Sequence, residues 1–163
     1  RPAPEGAQPG GGGGAPPPRG SPGGTRGGGL SPRRGRGRPP RPRPPPAGAC
    51  HCGAVRLVLP RRPRSLTACN CSICRRYGTL WAYYRAASVR LEHEPGATAA
   101  YLWGRRRLRF VRCARCGCVT HWEPVRRTPA SRMGVNARLF EPEALGEVRI
   151  RLLDGARTWR YLD

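Results

Sequence analysis

Eight cysteines fall into three short clusters, and this spacing constrains the fold more than any other feature of the sequence. The clusters read C-x-C, then C-x-C-x-x-C after 16 residues, then C-x-x-C-x-C after a further 38. Their members are Cys50, Cys52, Cys69, Cys71, Cys74, Cys113, Cys116 and Cys118. Cysteines two or three residues apart can direct two sulfurs at one ion, whereas such close neighbours bridge each other only with strain. The pattern therefore favours zinc over disulfides.

Two partitions of these thiols lead to different functions. If the sites fill in order along the chain, the first four cysteines close one tetrahedral site and the last four close another, and both are structural. If the first and last clusters pair instead, the middle cluster has three thiolates to itself. A zinc ion with three protein ligands keeps an open position for water or substrate, which is typical of a catalytic site. The spacing alone leaves both partitions open.

The residues after position 48 predict a mainly-β domain with very little helix. Short runs rich in Val, Ile, Leu and aromatic residues are separated by turns that contain Gly or Pro. The predicted strands are 55–59, 66–68, 80–84, 89–91, 101–103, 108–111, 119–122, 133–139, 148–152 and 158–162. Residues 141–145 favour a helical turn, because Pro142 stands early and acidic residues lie near the N-terminus.

The first 47 residues have a different composition from the rest of the chain. They contain 14 Gly and 14 Pro, and Leu30 is their only large apolar side chain. A segment of this kind cannot bury enough apolar surface to offset the entropy lost on ordering. We therefore expect a disordered Gly/Pro/Arg-rich tail at residues 1–47, followed by one zinc domain at residues 48–163.

The charge of the chain is strongly positive, with a net value of +22 and arginine as every basic residue. Such a charge favours anionic partners, and the Arg-Gly repeat at residues 33–38 could bind nucleic acid through phosphates. GC-rich coding also enriches Gly, Ala, Pro and Arg together, and no aromatic residue stands among these arginines to stack on a base. A solvated linker is therefore the favoured interpretation of this repeat, and nucleic-acid binding, where it occurs, is expected through the tail only.

The sequence contains no run of 18 or more apolar residues and no apolar segment near Arg1 of the kind that directs secretion. We therefore expect no membrane contact. Thiol clusters in a chain without an export signal predict a reducing, cytoplasmic location. The oligomeric state stays open.

Four segments of the sequence together resemble the glutathione-dependent formaldehyde-activating enzyme family, which also includes centromere protein V. The segments are Ala49–Val55, Cys69–Arg75, Phe110–Cys118 and Gly134–Leu139. The resemblance covers nearly all of residues 48–163 and implies a small zinc-braced β fold of the Mss4-like kind. It also implies two zinc ions per chain and the second partition. The structural zinc would be held by Cys50, Cys52, Cys113 and Cys116, and the catalytic zinc by Cys69, Cys71 and Cys74.

The reaction that the resemblance implies is the condensation of glutathione with formaldehyde, or with a related small aldehyde, by a carbon–sulfur lyase. The residues expected to bind glutathione, chiefly through its carboxylates, are Arg75, Arg76, Asn136 and Arg138. The alternative function is a non-catalytic, zinc-stabilised interaction module, similar to centromere protein V, with a basic tail that binds nucleic acid.

The remaining candidates are expected to be structural. His51 stands between two predicted ligands and should point away from their metal towards the surface. His121, on a predicted strand, should be packed and hydrogen-bonded. Four aromatic residues are expected to form core rather than a ligand box, namely Trp81, Tyr83, Trp103 and Trp122. Cys118 is left over in the second partition and is expected to be a buried small apolar residue, with a substitute ligand and an oxidation-sensitive thiol as the second and third alternatives.

Overall fold

Residues 43–163, which a computed structural model describes, are folded mainly into β-strands, as the sequence predicts. The strands are β1 (Ala47–Ala49), β2 (Val55–Val58), β3 (Ser65–Cys69), β4 (Leu80–Arg85), β5 (Arg90–His93), β6 (Thr98–Trp103), β7 (Leu108–Cys113), β8 (Val119–Pro124), β9 (Arg132–Asn136) and β10 (Arg149–Leu153). The helices are α1 (Ser72–Tyr77) and α2 (Pro142–Leu145), with single 3-10 turns at Ala86–Ser88 and Ala137–Leu139. Most of the predicted tail, residues 1–42, lies outside the described residues, so the boundary at residue 48 stays a prediction.

The strands form two sheets. Strands β1, β2 and β5 form a small antiparallel sheet, and the other seven form a sheet of order β10-β3-β4-β9-β8-β7-β6. Within the large sheet, only β10 and β3 pair in parallel, with Leu153 opposite Cys69. This pairing brings the C-terminal strand to the place where the middle cysteine cluster begins.

Nine of the ten predicted strands coincide with an observed strand, and the predicted helical turn coincides with α2. The prediction for residues 158–162 is wrong, because this segment pairs only through a single bridge from Tyr161 to Leu153. The prediction for residues 133–139 is too long, because the strand ends at Asn136. There the side-chain Oδ1 accepts a hydrogen bond from the backbone N–H of Arg138 at 3.3 Å and starts the 3-10 turn. Helix α1 was not predicted. It ends at Gly78, whose φ of +60° is the left-handed conformation that glycine adopts without strain.

Three apolar clusters lie in the described domain. The largest packs β2, β4 and β9 around Leu57, Met133 and Val135, which are fully buried. A second cluster surrounds the middle cysteines with Trp81 and Phe110. The third surrounds the outer cysteine clusters. Each group of thiols thus packs against an apolar cluster of the domain.

Among the described residues, no helix combines the length and the apolar character needed to cross a membrane.

Candidate metal centres and pocket

Four sulfurs from two distant parts of the chain meet where the turn after β1 packs against the end of β7. The Sγ atoms of Cys50, Cys52, Cys113 and Cys116 all lie within 4.8 Å of one another. Cys52 Sγ is 3.7 Å from Cys50 Sγ and 3.6 Å from Cys113 Sγ. Two zinc–sulfur bonds of about 2.3 Å at the tetrahedral angle separate their sulfurs by about 3.8 Å. This four-cysteine cluster therefore fits a zinc ion.

Two similar turns build the four-cysteine cluster. Gly53 and Gly117 both have φ of +76°, a conformation that lets the chain reverse directly behind the sulfurs. The backbone N–H of Val55 donates to Cys50 Sγ at 3.3 Å. Backbone N–H groups, led by that of Cys118, lower the pKa of the Cys116 thiol to about 5. These donors suit sulfurs that carry negative charge, as metal-bound thiolates do.

The three remaining clustered thiols come from one stretch of chain. Cys69 ends β3, Cys71 precedes α1 and Cys74 lies within it, and the three Sγ atoms are within 4.8 Å of one another. The backbone N–H of Cys71 donates to Cys69 Sγ at 3.5 Å, and the indole N–H of Trp81 donates to Cys74 Sγ at 3.2 Å. Within the described residues, no other Cys and no His, Asp or Glu joins this three-cysteine cluster at that distance.

Cys118 lies with the four-cysteine cluster and away from the three-cysteine cluster. Its half-buried side chain packs against the apolar group formed by Cys50, Val55 and Cys113. The backbone of Cys118 closes the turn that carries Cys113 and Cys116, because the N–H of Cys113 donates to the Cys118 carbonyl at 2.9 Å. The expectation of a small apolar residue agrees with this packing.

A pocket of about 320 Å³ opens at the three-cysteine cluster. Aromatic side chains form most of its wall, namely Trp81, Tyr83, Trp103, Phe110, Trp122, Trp159 and Tyr161. Their rings meet edge to face, with centroids 5.9 Å apart for Trp81 and Phe110 and 6.0 Å apart for Tyr83 and Trp122. Such a wall offers a large apolar contact surface beside the thiols.

Trp81, Tyr83, Trp103 and Trp122, which the sequence predicts to form core, all belong to or pack against the second apolar cluster. Trp81 is 1% exposed and belongs to the core, but all four side chains also line the pocket. Their alternation along the strands is typical of one buried sheet face, and the sequence does not show that this face is only partly covered. Gly134 on β9 makes room for the wall, because a Cβ atom there would collide with the Trp122 indole.

The loop after β10 covers one side of the three-cysteine cluster. The Asn70 side chain, between two of the thiols, donates from Nδ2 to Asp154 Oδ1 and accepts from the Ala156 N–H, both at 2.9 Å. A Cβ atom on Gly155 would lie 2.5 Å from Cys69 Sγ, so only glycine passes at this point without displacing a neighbour. This loop leads the chain to Trp159 and Tyr161 in the pocket wall.

The arginines predicted to bind substrate lie in three different places. Arg75 lines a shallow cleft that also includes Cys71 and Asn70, next to the three-cysteine cluster. Arg76 donates to the Ser72 carbonyl at 2.8 Å and lines a separate cleft on the outer side of α1. Arg138 is exposed and lines a third cleft beside α2. Only Arg75 therefore adjoins the thiols.

Asn136 is buried and ties strands together. Its Oδ1 accepts from the Leu80 N–H at 3.3 Å, and its Nδ2 donates to the Val119 carbonyl at 2.9 Å. These contacts, with that to Arg138, use both ends of the amide, and Asn136 does not line the pocket at the thiols. The structure gives neither Asn136 nor Arg138 a contact with that pocket. The arginine that does line it is Arg132, which was not predicted.

The two histidines singled out in the sequence, His51 and His121, behave as predicted. His51 is exposed, and His121 is 2% exposed with Nδ1 3.0 Å from Thr120 Oγ1. Beside it, the buried carboxylate of Glu123 pairs with Arg109. Burial alone would raise the pKa of Glu123, but His121 and Arg109 outweigh it and lower the pKa to about 2. This group stabilises β7 and β8 and lies outside the thiol pocket.

A family of known proteins matches the segment of the chain that contains all eight cysteines. A family model described as glutathione-dependent formaldehyde-activating enzyme matches residues 45–148. Among solved structures, the chain is similar to a Rhodobacter sphaeroides protein determined by structural genomics, with 31% identity and a TM-score of 0.52 over 64% of this chain and 98% of that one. No match was found among curated proteins. Because the family match spans more than half of the sequence and both cysteine clusters, the chain belongs to the glutathione-dependent formaldehyde-activating enzyme family.

Proposed function

We propose that this protein is a zinc-dependent carbon–sulfur lyase that condenses glutathione with formaldehyde or a related small aldehyde. The observation that carries the proposal is the contrast between the two groups of thiols. Four sulfurs in one cluster supply a complete set of ligands for a tetrahedral ion. The other three line the wall of a pocket, with no fourth ligand among the described residues. The description of the family supports the choice of thiol and aldehyde.

In this proposal the four-cysteine cluster (Cys50, Cys52, Cys113 and Cys116) holds a structural zinc, and Cys69, Cys71 and Cys74 hold the catalytic one. Zinc held by these three thiolates would act as a Lewis acid, which would lower the pKa of a substrate thiol or stabilise negative charge on the aldehyde oxygen. The indole N–H of Trp81 and the backbone N–H of Cys71 orient two of the three sulfurs.

The overall reaction is an addition and needs no oxidant or reductant. A bond forms between the thiol sulfur and the carbonyl carbon, the π bond of the carbonyl breaks, and the proton of the thiol ends on the oxygen. The aromatic wall holds the two reactants together and keeps water from competing for the aldehyde. Arg75, beside Cys71, is placed to receive a carboxylate of glutathione.

The test is an assay of adduct formation by NMR with zinc-loaded protein, formaldehyde and glutathione. Wild type should accelerate the reaction above the uncatalysed rate, and Cys71→Ser should lower the acceleration by a factor of about 100 to 1,000 because an electrostatic stabiliser is lost. Cys118→Ser is the matched control and should retain activity. Equal rates with wild type, with Cys71→Ser and without protein would show that the adduct forms unaided, and would reject the lyase.

The alternative function, an interaction module with a tail that binds nucleic acid, depends on residues that lie largely outside the described part of the chain. No contact among residues 43–163 favours it over the lyase.

A further inference from the structure

A second cavity, of about 330 Å³, adjoins the thiol pocket and shares Tyr83, Arg132 and Tyr161 with it. Its wall carries four arginine side chains and no carboxylate. The arginines are Arg61, Arg64, Arg132 and Arg151, which come from the loop before β3, the start of β9 and the middle of β10. Three separate parts of the chain thus deliver positive charge to one concave surface.

Contacts with aromatic rings hold two of these four arginines in place. The guanidinium carbon of Arg132 lies 3.8 Å from the ring centroid of Tyr83, and that of Arg151 lies 3.7 Å from the ring centroid of Tyr161. The Tyr84 hydroxyl donates to the Arg61 carbonyl at 2.9 Å and fixes the loop before β3. Guanidinium groups that stack on rings lose less entropy when they bind an anion.

The charge in this cavity is largely uncompensated. Arg151 Nε lies 3.4 Å from Asp163, but no carboxylate of the described residues lies within 4.0 Å of a side-chain nitrogen of Arg61, Arg64 or Arg132. By contrast, Arg109 and Arg127 both pair with the buried Glu123. Unpaired guanidinium groups around a concave surface attract anions and bind carboxylates through two parallel hydrogen bonds.

We propose that Arg61, Arg64, Arg132 and Arg151 form a subsite for a carboxylate of the thiol substrate, while the substrate sulfur lies at the three-cysteine cluster. The inference rests on the proposed function and restricts its substrates to acidic thiols, of which glutathione is one. Arg132 is the specificity residue, because it alone among the four lines both cavities. Neutral and cationic thiols of the same size should bind weakly.

The experiment measures binding without an aldehyde, on the full chain loaded with zinc. All four tryptophans of the chain line the thiol pocket, so intrinsic fluorescence reports directly on its occupancy. The probes are 3-mercaptopropionate, which is acidic, and 2-mercaptoethanol, which is neutral and of similar size. Wild type should bind the acidic thiol about ten times more tightly, and Arg132→Gln should remove about this tenfold preference without changing the affinity for the neutral thiol.

Arg112→Gln is the matched control, because Arg112 is an exposed arginine on β7 that lines neither cavity. It should change both affinities less than twofold. Equal loss in the two variants would assign the preference to the overall positive charge and overturn the subsite, as would equal binding of the two thiols by wild type. Arg64→Gln gives the same test if circular dichroism shows that Arg132→Gln does not fold.

Failure of the subsite and failure of the lyase are distinguishable. A preference for the acidic thiol that Arg132→Gln abolishes, in a protein without turnover, would support the subsite and reject the lyase. Turnover that is equal with glutathione and with its diethyl ester would support the lyase and overturn the subsite.

Discussion

The two cysteine clusters use the same ligand atom but differ in what surrounds them. The four-cysteine cluster is closed by two glycine-containing turns and packs against the small apolar side chains of Ala54, Val55 and Ala97. The three-cysteine cluster comes from one stretch of chain and faces indole rings and a loop from the C-terminus. Under the proposed assignment, the number of sulfurs available to each ion, rather than the type of ligand, separates the structural site from the catalytic one.

The largest effect on stability should come from removing a ligand of the four-cysteine cluster. Cys113 is fully buried and connects β7 to the first cluster, so Cys113→Ser should release the structural metal and much of the tertiary structure with it. We expect the melting temperature to fall by roughly 10 °C or more, because binding energy at a structural zinc is folding energy. Differential scanning calorimetry measures this directly.

Cys69→Ser is the matched change in the other cluster. It should remove one metal ion and the activity while leaving the melting temperature within a few degrees of wild type. If both variants melt at the same temperature, the proposal that only the four-cysteine cluster holds a structural metal is wrong.

The next effect is a difference in how fast the two ions leave. Under the proposed assignment, a chelator reaches the ion with an open position through the pocket, whereas the four-cysteine cluster offers no free position. We expect about two zinc ions per chain by metal analysis, one of them released at least about tenfold faster than the other. Turnover should disappear with the first ion and far-ultraviolet circular dichroism should change only with the second. Two ions released together would contradict the comparison.

Substitution of two glycines should have smaller effects, one on metal binding and the other on stability. Gly155→Ala places a methyl group against Cys69 Sγ, so it should weaken metal binding at the three-cysteine cluster about 10- to 100-fold with little change in stability. Gly117→Ala meets no atom within 4 Å, but its φ of +76° strains any other residue and should cost about 1 kcal/mol of stability. Competition with a zinc indicator and thermal melting separate the two results.

The strands were predictable because their signals are local. Alternating apolar residues between turns locate β2 to β10 without knowledge of the partners. The same reasoning missed α1, since six residues are too few to show helical periodicity and its first turn has no acidic residue. Its stability comes from tertiary packing of Ile73 and Cys74 and from the Gly78 cap.

The pairing of the cysteine clusters could not be predicted from spacing. It depends on the place where the turn after β1 meets the end of β7, a contact between residues more than 60 positions apart. The pocket wall was missed for the same reason, since Trp159 and Tyr161 reach it only because β10 pairs in parallel with β3, and Arg132 reaches it because β9 pairs with β4. The resemblance to the family indicates which cysteines share an ion. The family match ends at residue 148, however, before Trp159 and Tyr161.

The smallest effect should come from weakening the hydrogen bonds that attach the loop after β10 to Asn70, beside the three-cysteine cluster. Asn70→Asp places a second carboxylate against Asp154, so the loop should loosen and KM for the thiol should rise by a factor of about three to ten. Asp154→Asn in the same chain should restore KM, because the exchanged pair can make the same hydrogen bond with donor and acceptor reversed. The melting temperature should stay unchanged throughout, since the four-cysteine cluster does not contact this loop through either side chain. If the double variant is no better than Asn70→Asp alone, the hydrogen bond does not position the loop, and Trp159 and Tyr161 must be held in the pocket wall by β10 and by the Thr67–Tyr161 hydroxyl contact at 2.9 Å.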